Sequence, residues 1–488
     1  MKAQLEPPFA ASSLVDIEVP FDLEVREEGL PPGLAEAQQV LHCEQILRHL
    51  PGRRLVVRTR WAGRPAVLKL FIGAGAVSYR DRESVGLEAL RVAGARVPER
   101  LALVQQATGV GIVTAYLADA QNLDVANTTQ VDALVRLFAH LHARGISHTD
   151  PHLGNFLTAA GELHVVDGDG IRTGSRALSP QDSLGNLGEL LAQFPPVADG
   201  WMTALIRTYL DARAWSATEY TAPAQVALAA ARRDRYRRYL KKTRRTCSEF
   251  EVEKAPASLR IRVRAEDVQI PGTFFTAPDD LLNRGGLLKA GNSATVARCA
   301  VAPGAATGLV IKRYNVKSWG QALRRSLSPL PRFRRAWSYG ALLRLLEIPT
   351  ARPLALLEQG MGPWRPRAWL LLEDLGDRDL GVELQEALGS GAEDRIAARV
   401  GEVVGLFAAL RAARLVHGDT KASNFLIHRD RVHLIDLDAM TLAAGAIRGT
   451  DQDAHIAGSA RDIARFLENW EPGLRARFEA AFRAAGLL

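Results

Sequence analysis

Two stretches of this 488-residue chain carry the same polar residues at the same intervals. GISHTDPHLGNFLTAAGELHVVDGDG contains His148, Asp150, Asn155 and Asp167, and RLVHGDTKASNFLIHRDRVHLIDLDA contains His417, Asp419, Asn424 and Asp436. In both, the Asn follows the first Asp by 5 residues and the last Asp follows it by 17. This set suits phosphoryl transfer from a nucleotide, which needs a carboxylate to position a hydroxyl and accept its proton, and oxygen ligands for Mg²⁺ on the polyphosphate. On that reading Asp150 and Asp419 are the bases, while Asn155 with Asp167, and Asn424 with Asp436, hold the metal. The competing reading is structural, because Asp and Asn are common in turns and caps. Two copies with identical spacing argue against it. His148 and His417 brace the loops by hydrogen bonding.

The surrounding pattern supplies the elements that hold these residues. Leu134, Leu137, Phe138 and Leu141 precede the first motif with helical spacing, and Val400, Val403, Val404 and Phe407 precede the second. Phe156-Leu157 and Val165-Val166, like Phe425-Leu426 and Leu434-Ile435, predict short buried strands joined by a turn. Upstream, RRLVVRTRWAGRPAVLKLF predicts two strands with Lys69 in the second, followed by a helix bearing Glu83. A strand lysine facing a helix glutamate is the ion pair that positions a phosphate-binding lysine. The second copy repeats the order: Gly291-Asn292-Ser293 joins two strands and offers backbone N–H groups to phosphates, and Lys312 follows in the next strand. Its helix has Ala336 where Glu83 would fall, amid Arg332, Arg334, Arg335 and Trp337.

Length allows two to four domains, and the repeat resolves it into two. The expected fold class is α+β, with domains at 1–250 and 251–488, each a β-rich N-lobe on an α-helical C-lobe. Apolar content of 47% and charged content of 24% exclude disordered and collagen-like classes. Cys43, Cys247 and Cys299 stand far apart, so no disulfide framework or zinc site is readable. The N-terminus has acids and prolines where a signal peptide needs a basic start and an apolar run, and a cytoplasmic protein is expected. The net charge of +8 is concentrated. Residues 230–246 predict a basic helix closing the first domain, which is either a solvated face or a contact for anionic phospholipid, lipid A phosphate or an acidic partner. Arg324 and Arg325, with Arg332, Arg334 and Arg335, form a second basic patch placed to receive a phosphorylated sugar. No aromatic platform or recognition helix supports a nucleic-acid partner.

The second half resembles the bacterial lipopolysaccharide core kinases, the Kdo and heptose kinase family of the protein-kinase-like fold, through VIKRYN, FRRAWSYGALLRLLEIPTARPLALLE, HGDTKASNFL and HLIDLD. The first half resembles the InaA-like branch of that family through LPGRRLVVRTRWAGRPAVLKLF, HTDPHLGNFL and VVDGDGIR. The resemblance implies two tandem kinase-like domains and ATP- and Mg²⁺-dependent phosphorylation of a sugar hydroxyl, on heptose or Kdo, in the lipopolysaccharide inner core. It also implies a peripheral location on the cytoplasmic face of the inner membrane. Within that family a helix without the acid at Ala336 is not unusual. Two departures stand out: the first half has no glycine-rich loop, and its Pro151-His152 replaces Thr420-Lys421. Lys421, two residues after the base, can neutralise charge on the transferred phosphate. The second domain is therefore the better supported catalyst. An aminoglycoside- or choline-type phosphotransferase uses the same constellation, and a scaffold with one or both domains inactive is the reading from another class.

Overall fold

The structure is a computed structural model that describes residues 19–29, 38–196, 199–264, 269–299, 308–315, 330–361, 364–443 and 450–488. The architecture is α+β. The chain divides into two compact units, one of residues up to Phe194 with Trp201–Ala231, the other of Pro195–Gly200 with Arg232–Leu488.

The first unit opens with seven strands, β1 (Phe21–Glu27), β2 (Gln38–Cys43), β3 (Gln45–Leu50), β4 (Arg54–Trp61), β5 (Arg64–Ile72), β6 (Arg100–Gln106) and β7 (Gly109–Ala115). They form one antiparallel sheet in the order β2-β1-β6-β7-β5-β4-β3. Strand alternation sets its inner face: Leu55, Val57, Thr59 and Trp61 of β4 point inward at every second residue. The helix Ala76–Val92 joins β5 to β6. Beyond the sheet come β8 (Gln121–Asn122), the helix Thr128–Ala143, β9 (Ile146–His148), the hairpin β10 (Phe156–Ala159) and β11 (Glu162–Val165), and β12 (Ile171–Thr173). The expected stripe Leu134, Phe138 and Leu141 is buried, together with Val131 and Val135. Helices Pro180–Leu191 and Asp199–Ala212 follow.

The second unit repeats the order of the last five strands but exchanges the first two at the edge. Its strands are β13 (Phe250–Ala255), β14 (Ser258–Val263), β15 (Gly286–Ala290), β16 (Ala294–Cys299), β17 (Leu309–Tyr314), β18 (Pro353–Met361) and β19 (Trp364–Glu373), arranged β13-β14-β18-β19-β17-β16-β15. In each sheet the lysine strand, β5 or β17, lies third from one edge and is followed by a helix and then the pair that completes the centre. Residues 353–358 of β18 are all buried because the sheet is covered on both faces. Leu356 packs with Phe333, Ala336 and Trp337 of the helix Arg332–Leu345, while Leu354 and Leu357 pack with Phe274 and Leu282. Below lie the short strands β20 (Leu415–Val416) and β23 (Thr441–Leu442), which pair, and the hairpin β21 (Phe425–His428) and β22 (Arg431–Leu434). Helices Leu380–Gly389, Glu393–Ala412, Thr450–Leu467 and Pro472–Ala484 bury Phe407, Phe466, Phe478 and Phe482 around Phe425. Each such ring contributes about 1.5–3 kcal/mol by burial.

The basic segment differs from its expectation. Its helix runs Ala217–Lys242, and from Arg232 onward the residues belong to the second unit. Tyr236 is buried in the second unit's core. The Trp337 indole N–H donates to the Thr243 carbonyl (2.8 Å), and the Thr243 and Ser338 hydroxyls bond at 2.9 Å. The tyrosines and Thr243 interleaved with the arginines give the segment an apolar side that docks on its own unit. Arg237, Arg238, Lys241 and Arg245 remain exposed. The division thus falls after Ala231 rather than at 250. Among the described residues no helix is long and apolar enough to cross a membrane.

Candidate active sites

In the second unit Lys312 of β17 is 9% exposed, and its Nζ meets Asp436 at 2.7 Å and Asp438 at 2.9 Å. Burial alone would lower its affinity for a proton, but Asp438 and Asp436 hold the ammonium above its ordinary value. Burial likewise pushes the Asp436 carboxyl upward, and Lys312 outweighs it, keeping the group below the usual carboxylate range. Asp436 has φ 62°, a left-handed conformation that Asp tolerates better than most residues. Tyr314, two residues after Lys312, donates its hydroxyl to Asp438 (2.8 Å). Ala336 is buried at the place expected for a helix acid. Asp438, the second acid of Asp436-Leu437-Asp438, supplies the lysine's second carboxylate instead.

Asp419 begins the loop after β20. Its N–H donates to His417 Nδ1 (3.2 Å), while His417 Nε2 bonds the Ile435 carbonyl (3.0 Å), which fixes a neutral tautomer; burial holds the imidazole below its ordinary value. Asp462 accepts the backbone N–H groups of His417 (2.7 Å) and Gly418 (2.9 Å), tying the loop to the helix Thr450–Leu467. The Asn424 amide N–H₂ donates to the Asp419 carbonyl at 2.7 Å and lies 3.3 Å from its Oδ2. Lys421 reaches Asp419 Oδ2 at 3.2 Å and Arg465 reaches Oδ1 at 2.7 Å. At the sheet edge Gly291 N–H donates to Ala294 O (3.0 Å), and Asn315 clamps the turn with its amide on Gly291 O (2.9 Å) and its N–H on Ser293 O (3.1 Å). Asn292 and Ser293 are exposed at the tip.

The first unit brings the corresponding residues together with different partners. Lys69 Nζ bonds Glu83 (2.5 Å) and Asp167 (3.2 Å), as the strand-and-helix reading expects. Glu83 is fully buried, and burial pushes its carboxyl up to about 7 against the pull of Lys69. Asp167 is pushed upward by burial too, but Lys69 holds it well below the usual range. Helix and loop approach closely: a Cβ on Gly86 would lie 2.0 Å from the Gly168 carbonyl oxygen, and one on Gly168 would lie 2.2 Å from the Glu83 carbonyl oxygen. Asp169 pairs with Arg82 (2.8 Å) and Arg54 (3.6 Å) rather than with the lysine. The Asn155 amide donates to the Asp150 carbonyl (3.1 Å), and Asp150 N–H donates to His148 Nδ1 (3.4 Å). Asn186 takes the part of Asp462: its oxygen accepts His148 N–H (3.0 Å) and its amide donates to His148 O (2.8 Å). His142, bonded to Asn186 (3.1 Å) and Tyr209 (2.8 Å), is lowered to about 4 by burial. Asp150 is exposed, and among the described residues no lysine or arginine reaches its carboxylate. The edge turn at Pro51-Gly52-Arg53 closes through Arg53 N–H to Leu50 O (3.0 Å).

Sequence reasoning missed Asp438, Asp462, Asn186, Tyr314 and Arg465. Asp438 was visible inside Asp-x-Asp, but its partner on another element was not. The basic patch assigned to the acceptor is partly committed elsewhere, since Arg334 forms a two-pronged pair with the fully buried Glu358 (2.7 and 2.6 Å). Arg324 and Arg325 lie outside the described residues.

Residues 298–455 match the model of the Lipopolysaccharide kinase (Kdo/WaaP) family. That segment holds Lys312, Asp419, Lys421, Asn424 and Asp436, and its chemistry is that of a phosphotransferase of the kinase type. No curated protein matches the chain. Among solved structures, WaaP in complex with acyl carrier protein is similar at 20% identity over 40% of this chain and 88% of that chain, with a TM-score of 0.32. Choline kinase LicA from Streptococcus pneumoniae is similar at 15% identity over 38% and 81%, with a TM-score of 0.28.

Proposed function

We propose that the chain is an ATP-dependent kinase built from two tandem kinase-like domains, and that it phosphorylates a heptose or Kdo hydroxyl of the lipopolysaccharide inner core. The observation that carries this reading is the convergence of Lys312, Asp436, Asn424 and Asp419 at one place inside the family-matched segment. Lys312 grips the nucleotide phosphates, and the Gly291-Asn292-Ser293 turn covers them with the N–H groups of Asn292 and Ser293. Asp419 orients the acceptor hydroxyl and takes its proton, and Lys421 neutralises charge on the phosphoryl group in flight. The donor set suits Mg²⁺: the Asn424 N–H₂ is committed to a carbonyl, which leaves its hard amide oxygen as an acceptor, and Asp436 adds carboxylate oxygens. Asn424 and Asp436 would hold the ion, as Asn155 and Asp167 would in the first unit. When bound, it supplies neutralisation of the polyphosphate charge. The exposed Arg237, Arg238, Lys241 and Arg245 favour peripheral docking on an anionic inner-membrane surface, from the cytoplasmic side.

The test is ATP-dependent phosphorylation of purified inner-core oligosaccharide by the parent and by Asp150→Asn, Asp419→Asn and the double variant. The expected result is transfer by the parent and none by the double variant. A fully active double variant overturns the base assignment, and transfer to an aminoglycoside or choline but to no core sugar overturns the acceptor. Loss with Asp419→Asn alone would make the first unit a binding module.

A further inference from the structure

Asp419 does not stand alone at its site. Arg465 lies on Oδ1 at 2.7 Å, and Lys421 lies on Oδ2 at 3.2 Å. Both cations retain access to solvent, with side chains 54% and 36% exposed, whereas the carboxylate between them is 24% exposed. An incoming hydroxyl must share or displace one of these contacts. A neutral acceptor gives Arg465 nothing in exchange. An acceptor with an anionic group beside the reacting hydroxyl gives it a charge-assisted, two-pronged partner.

The first unit provides an internal comparison. Asn186 and Asp462 hold the same backbone N–H, that of the His two residues before the base. Three residues beyond Asp462 stands Arg465; three residues beyond Asn186 stands Glu189. The position of Lys421 is taken by His152. The cation at the first of these positions is thus replaced by an acid, which accepts from the Asn186 amide (2.9 Å), and the second by a histidine, while the base and its Asn are kept.

We propose that Arg465, with Lys421, is the specificity-determining cation of the second site, and that it selects acceptors carrying a phosphate or carboxylate next to the hydroxyl that is phosphorylated. This rests on the kinase reading above and adds to it the chemical class of the acceptor. Arg465 moves from Asp419 to the acceptor's anion, so binding the correct substrate also frees the Oδ1 position for its hydroxyl.

The test uses saturation-transfer NMR on the full chain, with glucose 6-phosphate and glucuronic acid as charged probes and glucose as the neutral control. Both charged sugars are expected to bind and glucose is not. Arg465→Gln should weaken the charged probes about tenfold, the effect of losing one charge-assisted bond, and Arg465→Lys should restore part of it. Asp419→Asn, which removes transfer, should keep the binding, so failure of the phosphotransfer reading and failure of this one are separable. In transfer assays Arg465→Gln should lose more kcat/KM on phosphorylated core oligosaccharide than on the dephosphorylated, methyl-esterified form. Equal binding of glucose, unchanged binding by Arg465→Gln, or equal losses on both oligosaccharide forms would overturn the proposal. Phosphate binding without carboxylate binding narrows the class to phosphorylated sugars.

Discussion

Lys69 and Lys312 occupy equivalent strands of two sheets that share the order of their last five strands, yet different acids neutralise them. In the first unit the helix comes within backbone contact of the loop because Gly86 faces Gly168, and Glu83 then reaches the lysine. In the second unit Leu437 is the residue that follows Asp436, and it is buried. Gly340 of the helix meets Pro353 and Leu437 side chains instead of backbone. Ala336 leaves no acid to reach across, and Asp438 with Tyr314 takes over. The lesson is that the lysine requires a second carboxylate, not a particular element to carry it. In one unit burial, with a smaller push from Asp167, raises Glu83 against the pull of Lys69; in the other the Tyr314 hydroxyl donates to Asp438.

The largest expected effect divides the units by chemistry. Asp419→Asn should lower transfer by about 10²- to 10⁴-fold, the span of lost general-base catalysis, while Asp150→Asn should cost clearly less. Steady-state rates decide, and the reverse ranking would make the first unit the principal catalyst. The next effect concerns stability. Arg399 is 4% exposed and pairs with Glu383 (3.1 Å), Glu402 (3.2 Å) and Asp430. Arg399→Ala should destabilise the second unit by about 1.5–3 kcal/mol, because it removes a charge-assisted partner from the buried Glu383, which among the described residues keeps only Arg378 (2.6 Å) as a close partner. Hydrogen exchange should show the loss there and leave the first unit's protection intact.

A milder pair tests the helix contact itself. Gly86→Ala drives a methyl into the Gly168 backbone and should cost about 1–3 kcal/mol, whereas Gly340→Ala meets Pro353 side-chain atoms at 3.1–3.2 Å and should cost less. Equal shifts in Tm would deny the difference in helix approach. The smallest effect is on pH dependence. His142, near 4 when folded against an ordinary 6.5, is neutral in the native state where the unfolded chain is protonated, so its contribution is lost as pH falls from 6.5 toward 4. Glu83, near 7 against 4.5, keeps a proton that the unfolded chain has released, so its contribution is lost as pH rises from 4.5 toward 7. The two oppose one another. Glu83→Gln removes one of them, and denaturant unfolding of the first unit should then gain stability more steeply between pH 5 and 7 than in the parent.

Much of this was legible in the sequence because spacing survives folding. The intervals from Asp150 to Asn155 and Asp167 needed no tertiary knowledge, and the structure gathers those residues and Lys69 at one place. Glu83 was readable because it lies one turn before a Leu stripe. What stayed hidden depends on contacts between distant segments. Nothing near Asp462 marks it as the anchor of a loop 45 residues upstream, as its bond to His417 does. Arg465 reads as one more surface arginine until the helix fold brings it to Asp419. The basic run at 232–245 misled for a related reason: its charges are conspicuous, while the Tyr236 and Thr243 contacts that assign it to the second unit are two residues among many.

That helix also determines where the protein can be cut. Its early turns bury Ala224 and Leu228 with the first unit, and its later turns bury Tyr236 with the second. A fragment beginning at residue 251 would lack the ring of Tyr236 and the carbonyl that receives the Trp337 indole, and would be a poor expression product. One beginning before Arg232 keeps both. For a protease, the intact helix offers no extended site at the division, and nicking there should require the helix to unwind first.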